Sequence, residues 1–453
     1  MSAAAGRCNH MATDLVGHRM SASHPPPGRH SSVPSRRRKL NWRKVVGPGL
    51  ITGASDDDPS GIGTYSQAGA QFGFGLGWTM LLTYPLMCSV QMISARIGRV
   101  TGHGLAGSVA RHYPAWLTYS VVTLLLVANT INIGADLGAM ADASALVSGL
   151  HPGLFLIGFA AFCAISEIVM RYANYVRVLK WLTLALLAYV ATLFLVDLDW
   201  DAALAGLVAP KVSWSSETLM MVVAILGTTI SPYLFFWQAS QEAQDVQATP
   251  DEDPLKCDPL EGRVELKRIG LDTMVGMAAS NLVALAIIFT TAATLHADGI
   301  IDIRTSADAA EALRPLAGPY ASTIFALGIV GTGLLAVPVL AGSAAYALGE
   351  ALHWPTGLEC KPKRAKAFYG TILTATGLGA LMNFLPIDPI RALVVAAMIN
   401  GVVAVPVMAV MMLVAARSSV MGVFTVTGAL RVLGWLTTAV MAAAVVAMLA
   451  SMV

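Results

Sequence analysis

The residues Ala54-Ser55-Asp56-Asp57-Asp58-Pro59-Ser60-Gly61 place three acids, a proline and a glycine between two apolar segments. A carboxylate at bilayer depth costs about 2.5–3.5 kcal/mol on insertion scales, so it is rarely present there without a function. Pro59 cannot donate a backbone hydrogen bond, and Gly61 adds backbone freedom. The stretch therefore predicts a helix broken beside acidic side chains, an arrangement typical of cation sites in membrane proteins. A surface loop between two short segments is the alternative.

The composition is that of a polytopic membrane protein. Of the 453 residues, 56% are hydrophobic and 12% charged, whereas a soluble domain carries about 25% charged residues. The net charge of +2 is too small to indicate nucleic-acid binding. We expect neither a disulfide framework nor a thiolate metal site, because the five cysteines are far apart and form no CxxC pair. We also expect no cofactor, with metal ions and the lipid bilayer as the partners.

The first 42 residues form a different kind of segment. They contain four histidines at irregular spacing, several prolines and serines, and the basic run Arg36-Arg37-Arg38-Lys39. Because this segment lacks apolar periodicity, we expect a disordered tail. Basic residues before the first membrane span predict a cytoplasmic N-terminus.

Eleven apolar segments approach or exceed the roughly 20 residues that a bilayer requires. They cover 45–71, 75–99, 115–148, 152–171, 176–197, 216–243, 266–296, 318–351, 366–385, 390–415 and 428–452. Loops after even-numbered spans are rich in Lys and Arg, whereas the opposite loops are poor in charge or acidic. This pattern predicts an integral protein of the cell membrane with its N-terminus inside and its C-terminus outside.

The sixth span is interrupted like the first. Pro232 leaves carbonyls of the preceding turn without donors, close to polar Thr228 and Ser231. A simple proline kink is the alternative, but matching breaks in the first and sixth of ten spans are typical of inverted five-helix repeats. We predict an all-α fold with repeats at about 45–197 and 216–415, within a core of 43–415, and an eleventh helix in 416–453.

Freed carbonyls at such breaks favour cations, and Asp58 adds formal negative charge. This predicts an oxygen-rich cation site. The candidate ligands are Asp58, Asp57, Ser55, Gly61, Thr228 and Ser231. For Asp56 and Asp57, solvation of a helix end is an equally good interpretation.

These motifs resemble the natural resistance-associated macrophage protein (Nramp) family of divalent-metal transporters. The family's first helix carries Asp-Pro-Gly-Asn, where this chain has Asp58-Pro59-Ser60-Gly61. Its sixth helix carries Met-Pro-His, where this chain has Ser231-Pro232-Tyr233. The segment 331–343, GTGLLAVPVLAGS, is very similar to the family's eighth helix. The resemblance covers about 43–415 and implies a LeuT-type fold of ten core helices plus one, with alternating access to one central metal.

Departures from the family pattern affect the expected ion. Asp58 corresponds to the family's metal-binding aspartate, but Gly61 replaces an asparagine ligand and Ser231 replaces a methionine thioether. Loss of a soft ligand favours Mg²⁺, Mn²⁺ or Ca²⁺, and Mg²⁺ needs few protein ligands because it keeps several waters. We therefore expect a transporter of Mg²⁺ or Mn²⁺, similar to the Nramp-related Mg²⁺ transporters.

Proton coupling is expected to be weak or absent. The family's third helix carries an Asp-x-x-Glu pair, of which this chain keeps Asp136 and has Ala139 in place of the glutamate. Tyr233 and Gln238 replace two family histidines. A relay needs titratable groups within reach of one another, so Asp136, Asp56 and Tyr233 are the remaining candidates for a proton pathway.

Other polar residues within the spans have simpler interpretations. Asn281 and Asn400 are expected to form hydrogen bonds between helices. Glu167 and Arg171, spaced i and i+4, are expected to form an ion pair.

Four other functions stay open. The first is a classical proton-coupled Mn²⁺/Fe²⁺ symporter. A LeuT-type sodium-coupled carrier of an organic solute would need a cation or helix N-terminus for the solute's carboxylate, but the first break is acidic. An intramembrane aspartyl enzyme could pair Asp58 with Asp136, although we find no separate catalytic motif. The last is a non-transporting sensor.

Overall fold

The computed structural model describes residues 48–169, 183–209, 215–248, 253–257, 262–358, 360–385 and 387–452. The N-terminal tail, Arg171 and the first part of the predicted fifth span lie outside these ranges. The described residues are almost entirely helical and contain no strand.

Fourteen α-helices in the described ranges have eight or more residues. They are α1 (Pro48–Asp56), α2 (Pro59–Phe72), α3 (Trp78–Thr101), α4 (Leu105–His112), α5 (Ala115–Ser148), α6 (Pro152–Val169), α7 (Trp200–Val208), α8 (Ser216–Thr229), α9 (Pro232–Ala248), α10 (Gly262–Thr291), α11 (Ala321–Ala351), α12 (Lys366–Met382), α13 (Pro389–Ala415) and α14 (Gly428–Ser451). Shorter helices lie at Leu187–Thr192, Ser306–Ala310, Arg314–Ala317 and Ser418–Met421.

Seven helical segments in the described part of the chain are long and apolar enough to cross a membrane. The number rises to eight if Pro59–Leu76 and Trp78–Thr101, which meet at an angle of 108°, count as one span. The first predicted span consists of two short helices, and α12 has only 17 residues. The all-α polytopic membrane fold is confirmed, whereas the division at 415 stays a prediction.

Local chemistry explains both ends of the longest helix. The longest helix, α5, follows Pro114 and ends at Gly149, whose φ of 71° is left-handed and suits glycine. Helices α4 and α7 were not among the predicted spans. They have only eight and nine residues, too few to cross a bilayer.

The core of the molecule is formed by close pairs of helices. Helix α5 packs on α11, α8 on α13, α9 on α3, and α1 on α10. Small residues allow these approaches: a Cβ added to Gly227 of α8 would lie 2.1 Å from the carbonyl oxygen of Ala397 on α13. Such contacts between small residues are the usual basis of helix packing in membranes. They bring both broken helices to the centre of the bundle.

Candidate metal centre

The first break separates α1 from α2 and fixes the position of Asp58. Asp58 is the N-cap of α2, and its Oδ1 accepts hydrogen bonds from the backbone nitrogen of Gly61 at 2.7 Å and from Oγ of Ser60 at 2.8 Å. Pro59 occupies the first turn, where the missing N–H costs nothing. The interpretation as a broken helix, rather than a surface loop, is supported because Asp58 is only 1% exposed.

The second break separates α8 from α9 at Ile230–Ser231, directly before Pro232. Oγ of Ser231 lies 2.8 Å from the carbonyl oxygens of Gly227 and Thr228. The Ser231 hydroxyl therefore donates to carbonyls at the end of α8, and it has no observed contact with Asp58.

The two broken helices meet at the second oxygen of Asp58. Tyr233 is the second residue of α9. Its Oη lies 3.2 Å from Oδ2 of Asp58 and 3.0 Å from the carbonyl oxygen of Ser55. Nδ2 of Asn132, on α5, lies 3.2 Å from the same Oδ2. Four donors therefore surround one carboxylate, and Tyr233 and Asn132 are completely buried.

The other two acids of the opening stretch face a different helix. Oγ of Ser280 on α10 lies 2.6 Å from Oδ2 of Asp56 and 3.0 Å from Oδ1 of Asp57. The structure thus separates Asp56 and Asp57 from the hydrogen bonds around Asp58, although all three are buried.

Several buried oxygens on these helices have no hydrogen-bond partner among the described residues. They include Oγ of Ser55 and Oδ1 of Asn132, while Oη of Tyr65 and Oγ1 of Thr228 have at most each other and the Asp136 carboxylate at most the backbone N–H of Ser60. Buried polar atoms are normally paired, so unpaired oxygens clustered at the breaks suit a cation and its water. Gly61 faces this group, since a Cβ there would lie 3.2 Å from Oγ1 of Thr228.

Among the residues that the structure describes, acids and imidazoles do not form a metal cage by themselves. Within the described ranges, no group of three or more His, Cys, Asp or Glu residues is arranged to hold a metal ion. A cation at Asp58 would therefore be held by one carboxylate together with hydroxyl, carbonyl and amide oxygens.

The remaining predicted polar residues have mixed outcomes. Gln238 donates to Oγ1 of Thr273 at 3.0 Å, and Oδ1 of Asn281 accepts from Thr83 at 3.4 Å. The interhelical bond expected for Asn281 is thus observed. Asn400 is buried without a hydrogen bond to any described residue, so the bond expected there is not observed.

Besides its chain neighbour Ser60, Asp58 contacts one side chain that the sequence reasoning missed, Asn132 of α5. It lies four residues before Asp136, and residues spaced i and i+4 share one face of a helix. That spacing on a buried helix is the signal that could have identified it.

Residues 49–451 match the family model described as natural resistance-associated macrophage protein-like. A divalent metal cation transporter MntH of Klebsiella pneumoniae is 26% identical over 427 residues, covering 90% of this chain and 94% of the relative. MntH of Chromohalobacter salexigens is 29% identical over 313 residues, 67% of this chain and 69% of the relative.

Solved structures show the same architecture. A manganese transporter of Eremococcus coleocola matches with a TM-score of 0.68 at 17% identity, covering 94% of this chain and 88% of that one. A nucleobase-cation-symport-1 family transporter matches with a TM-score of 0.54 at 14% identity, covering 90% and 92%. At such identities the likeness shows the fold alone, and it confirms the predicted LeuT-type fold class. With a family match that spans nearly the whole described chain, this protein belongs to the Nramp family.

Proposed function

We propose that this protein transports a divalent metal cation across the cell membrane by alternating access, with Asp58 as the anchor of the substrate site. The observation that carries the proposal is the position of Asp58 where two broken helices meet. The hydroxyl of Tyr233 on α9 lies within hydrogen-bond distance of both Asp58 and the Ser55 carbonyl of α1. The names of the relatives, divalent metal cation transporter and manganese transporter, support it.

The donor set favours Mn²⁺ or Mg²⁺ as the substrate. Asp58 contacts the hydroxyls of Ser60 and Tyr233 and the amide of Asn132, and Tyr233 also contacts the backbone carbonyl of Ser55. Oxygen ligands suit hard divalent ions, whereas thioethers and thiolates select softer metals. One carboxylate with several neutral oxygens is also the kind of site that Mg²⁺ occupies while keeping part of its water shell.

Transport is proposed to be uncoupled from protons. The four groups that donate to Asp58 are a serine, a tyrosine, an asparagine and a backbone amide, none of which ordinarily exchanges protons near neutral pH. The membrane potential is a sufficient driving force, because a divalent cation gains about 4.6 kcal/mol per 100 mV, twice the value for one charge.

A liposome experiment tests both statements. Purified protein is reconstituted with a metal-sensitive dye and a pH-sensitive dye inside, and Mn²⁺ or Mg²⁺ is added outside at a negative-inside potential. We expect metal entry without acidification in the wild type, and background entry in Asp58→Ala. Asp388→Ala removes an acid at the start of α13 whose side chain is 45% exposed, and it serves as the control with wild-type flux. Equal flux in Asp58→Ala contradicts the site, and metal-dependent acidification contradicts the uncoupled mechanism.

A proton-coupled Mn²⁺ symporter is the second candidate. The observation in its favour is Asp136, which is fully buried and makes no hydrogen bond to a side chain of the described residues. Such a carboxylate is suited to carry a proton. In the same liposomes, acidification that accompanies metal entry in the wild type and disappears in Asp136→Asn would favour this candidate.

A further inference from the structure

We propose that Asn132 is a direct ligand of the transported cation, and that its side-chain amide turns over when the cation binds. This inference rests on the proposed function and deepens it, because it assigns a second side-chain ligand to the site of Asp58. Asn132 is completely buried and lies within α5, which is a single unbroken helix.

The amide of Asn132 is held by one contact. Nδ2 lies 3.2 Å from Oδ2 of Asp58, while Oδ1 has no partner among the described residues. Asn129, one turn earlier on the same helix, has a similarly unpaired Oδ1, but its Nδ2 lies 2.8 Å from both the carbonyl oxygen of Leu340 and Oγ of Ser343. Asn129 is therefore fixed to α11 by two neutral acceptors, whereas Asn132 is held only by the carboxylate.

A half-turn about the Cβ–Cγ bond exchanges the two ends of an amide. The terminal torsion of asparagine is broad and roughly two-fold, so both orientations are accessible, and the oxygen and nitrogen are nearly the same size. After the turn, Oδ1 of Asn132 would occupy the present position of Nδ2, 3.2 Å from Oδ2 of Asp58.

That spacing fits two oxygens that bind the same small cation. Adjacent ligands of an octahedral ion at about 2.0–2.1 Å lie about 3 Å apart. After the turn, Oδ1 of Asn132 and Oδ2 of Asp58 would therefore be spaced like two neighbouring ligands of one ion.

The two orientations of the amide serve the two states of the site. In the empty site, the N–H of Asn132 donates to the buried carboxylate, which would otherwise lack part of its hydrogen bonding. In the loaded site, the cation binds the carboxylate and the amide presents its carbonyl oxygen, a ligand type that hard divalent ions accept.

A change of ligand tests this inference directly. Asn132→Cys places a thiol where the amide oxygen would bind, and a thiolate favours soft metals. We expect the preference for Cd²⁺ over Mn²⁺, measured by competition during uptake into liposomes, to rise about tenfold or more relative to the wild type. Asn129→Cys is the matched control, with the same substitution on the same buried helix, and should keep the wild-type preference. A purely structural role of Asn132 predicts no change in preference.

Two further variants keep the inference testable if the cysteine variant does not fold. Asn132→Leu removes the oxygen at similar size and should raise the KM for Mn²⁺ about tenfold, whereas Asn132→Asp should bind Mn²⁺ at least as tightly as the wild type in a calorimetric titration. If uptake depends on Asp58 but Asn132→Leu has the wild-type KM, Asn132 is not a ligand and the proposed function stands. If the wild type takes up neither Mn²⁺ nor Mg²⁺, both the proposed function and the assignment of Asn132 as a ligand are contradicted.

Discussion

Gly53 of α1 lies in backbone contact with Gly276 of α10: a Cβ added at position 53 would stand 2.4 Å from the carbonyl carbon and oxygen of Gly276. One turn earlier, the backbone nitrogen of Gly49 donates to Oδ2 of Asp272 at 2.8 Å. One turn later on α10, Ser280 contacts the acids that end α1. Three contacts at four-residue intervals therefore hold the nine-residue α1 against α10 along its whole length.

Substitution Gly53→Ala should separate α1 from α10. A side chain cannot fit at 2.4 Å from a backbone carbonyl. Overpacking of this kind costs about 1–3 kcal/mol. If α1 must close in this position during transport, that cost corresponds to a fall in uptake rate of about tenfold or more. Initial rates of Mn²⁺ uptake into liposomes measure the effect. Gly158→Ala in α6 is the control, because no heavy atom lies within 4 Å of a Cβ there. Wild-type uptake by Gly53→Ala would show that this contact is not needed.

A buried ionic cluster joins three helices, and its loss should lower stability strongly. Arg268 of α10 contacts Glu242 of α9 at 2.7 Å and Glu265 at 2.9 Å, and Arg99 of α3 contacts Glu265 at 3.1 Å. Because the side chain of Glu242 is 0% exposed, Arg268→Leu leaves a buried charge without its partner, at a cost of about 3–5 kcal/mol.

The measurement is the midpoint of thermal unfolding in detergent, which should fall for Arg268→Leu. Arg391→Leu is the matched control. Arg391 contacts Asp302 at 3.0 Å with half of its side chain exposed, and such surface pairs contribute about 0–1 kcal/mol. Equal midpoints for the two variants would mean that the buried cluster does not stabilise the helix packing.

The pH dependence of stability should include a contribution from His103, in the loop between α3 and α4. Burial, together with the nearby charges of Arg111 and His112, lowers the pKa of His103 from 6.5 to about 4. The unfolded chain therefore binds this proton more readily than the folded protein. The contribution of neutral His103 to the free energy of unfolding is fully present above pH 6.5 and is lost as the pH falls toward 4.

His103→Gln should reduce this dependence. Unfolding midpoints at pH 7.5 and pH 5 should differ less for the variant than for the wild type, while groups common to both proteins titrate alike. His151→Gln removes an exposed histidine at the start of α6 and should keep the wild-type dependence. An unchanged pH dependence in His103→Gln would contradict the lowered pKa.

The helix breaks could be predicted because their causes are local. Pro59 and Pro232 remove backbone donors, and the acids before Pro59 are rare in an apolar segment. The bounds of α5, Ala115–Ser148, coincide with the predicted third span, and Pro114 and Gly149 act locally on the residues next to them.

Contacts between distant helices could not be predicted in this way. Ser280 is more than 220 residues from the acids that it contacts, and Asn132 is 74 residues from Asp58. Which side chain reaches Asp58 depends on how the helices pack, and a one-residue rotation of α5 would bring a different side chain to the site. Ser231 illustrates the same limit: its type suits a ligand, but its hydroxyl contacts carbonyls at the end of the preceding helix, α8.

Tyr233→Phe should bind the cation more tightly. The Tyr233 hydroxyl donates to Asp58 or to the Ser55 carbonyl in the empty site, and a hydrogen bond to a charged group contributes about 1.5–3 kcal/mol. A cation at Asp58 competes with that bond, so its removal should lower the Kd for Mn²⁺ about tenfold or more. Calorimetric titration of the purified protein measures the change, with Tyr84→Phe as the control, because that hydroxyl contacts the Met274 carbonyl instead. Weaker binding in Tyr233→Phe would instead identify the hydroxyl oxygen as a ligand of the cation.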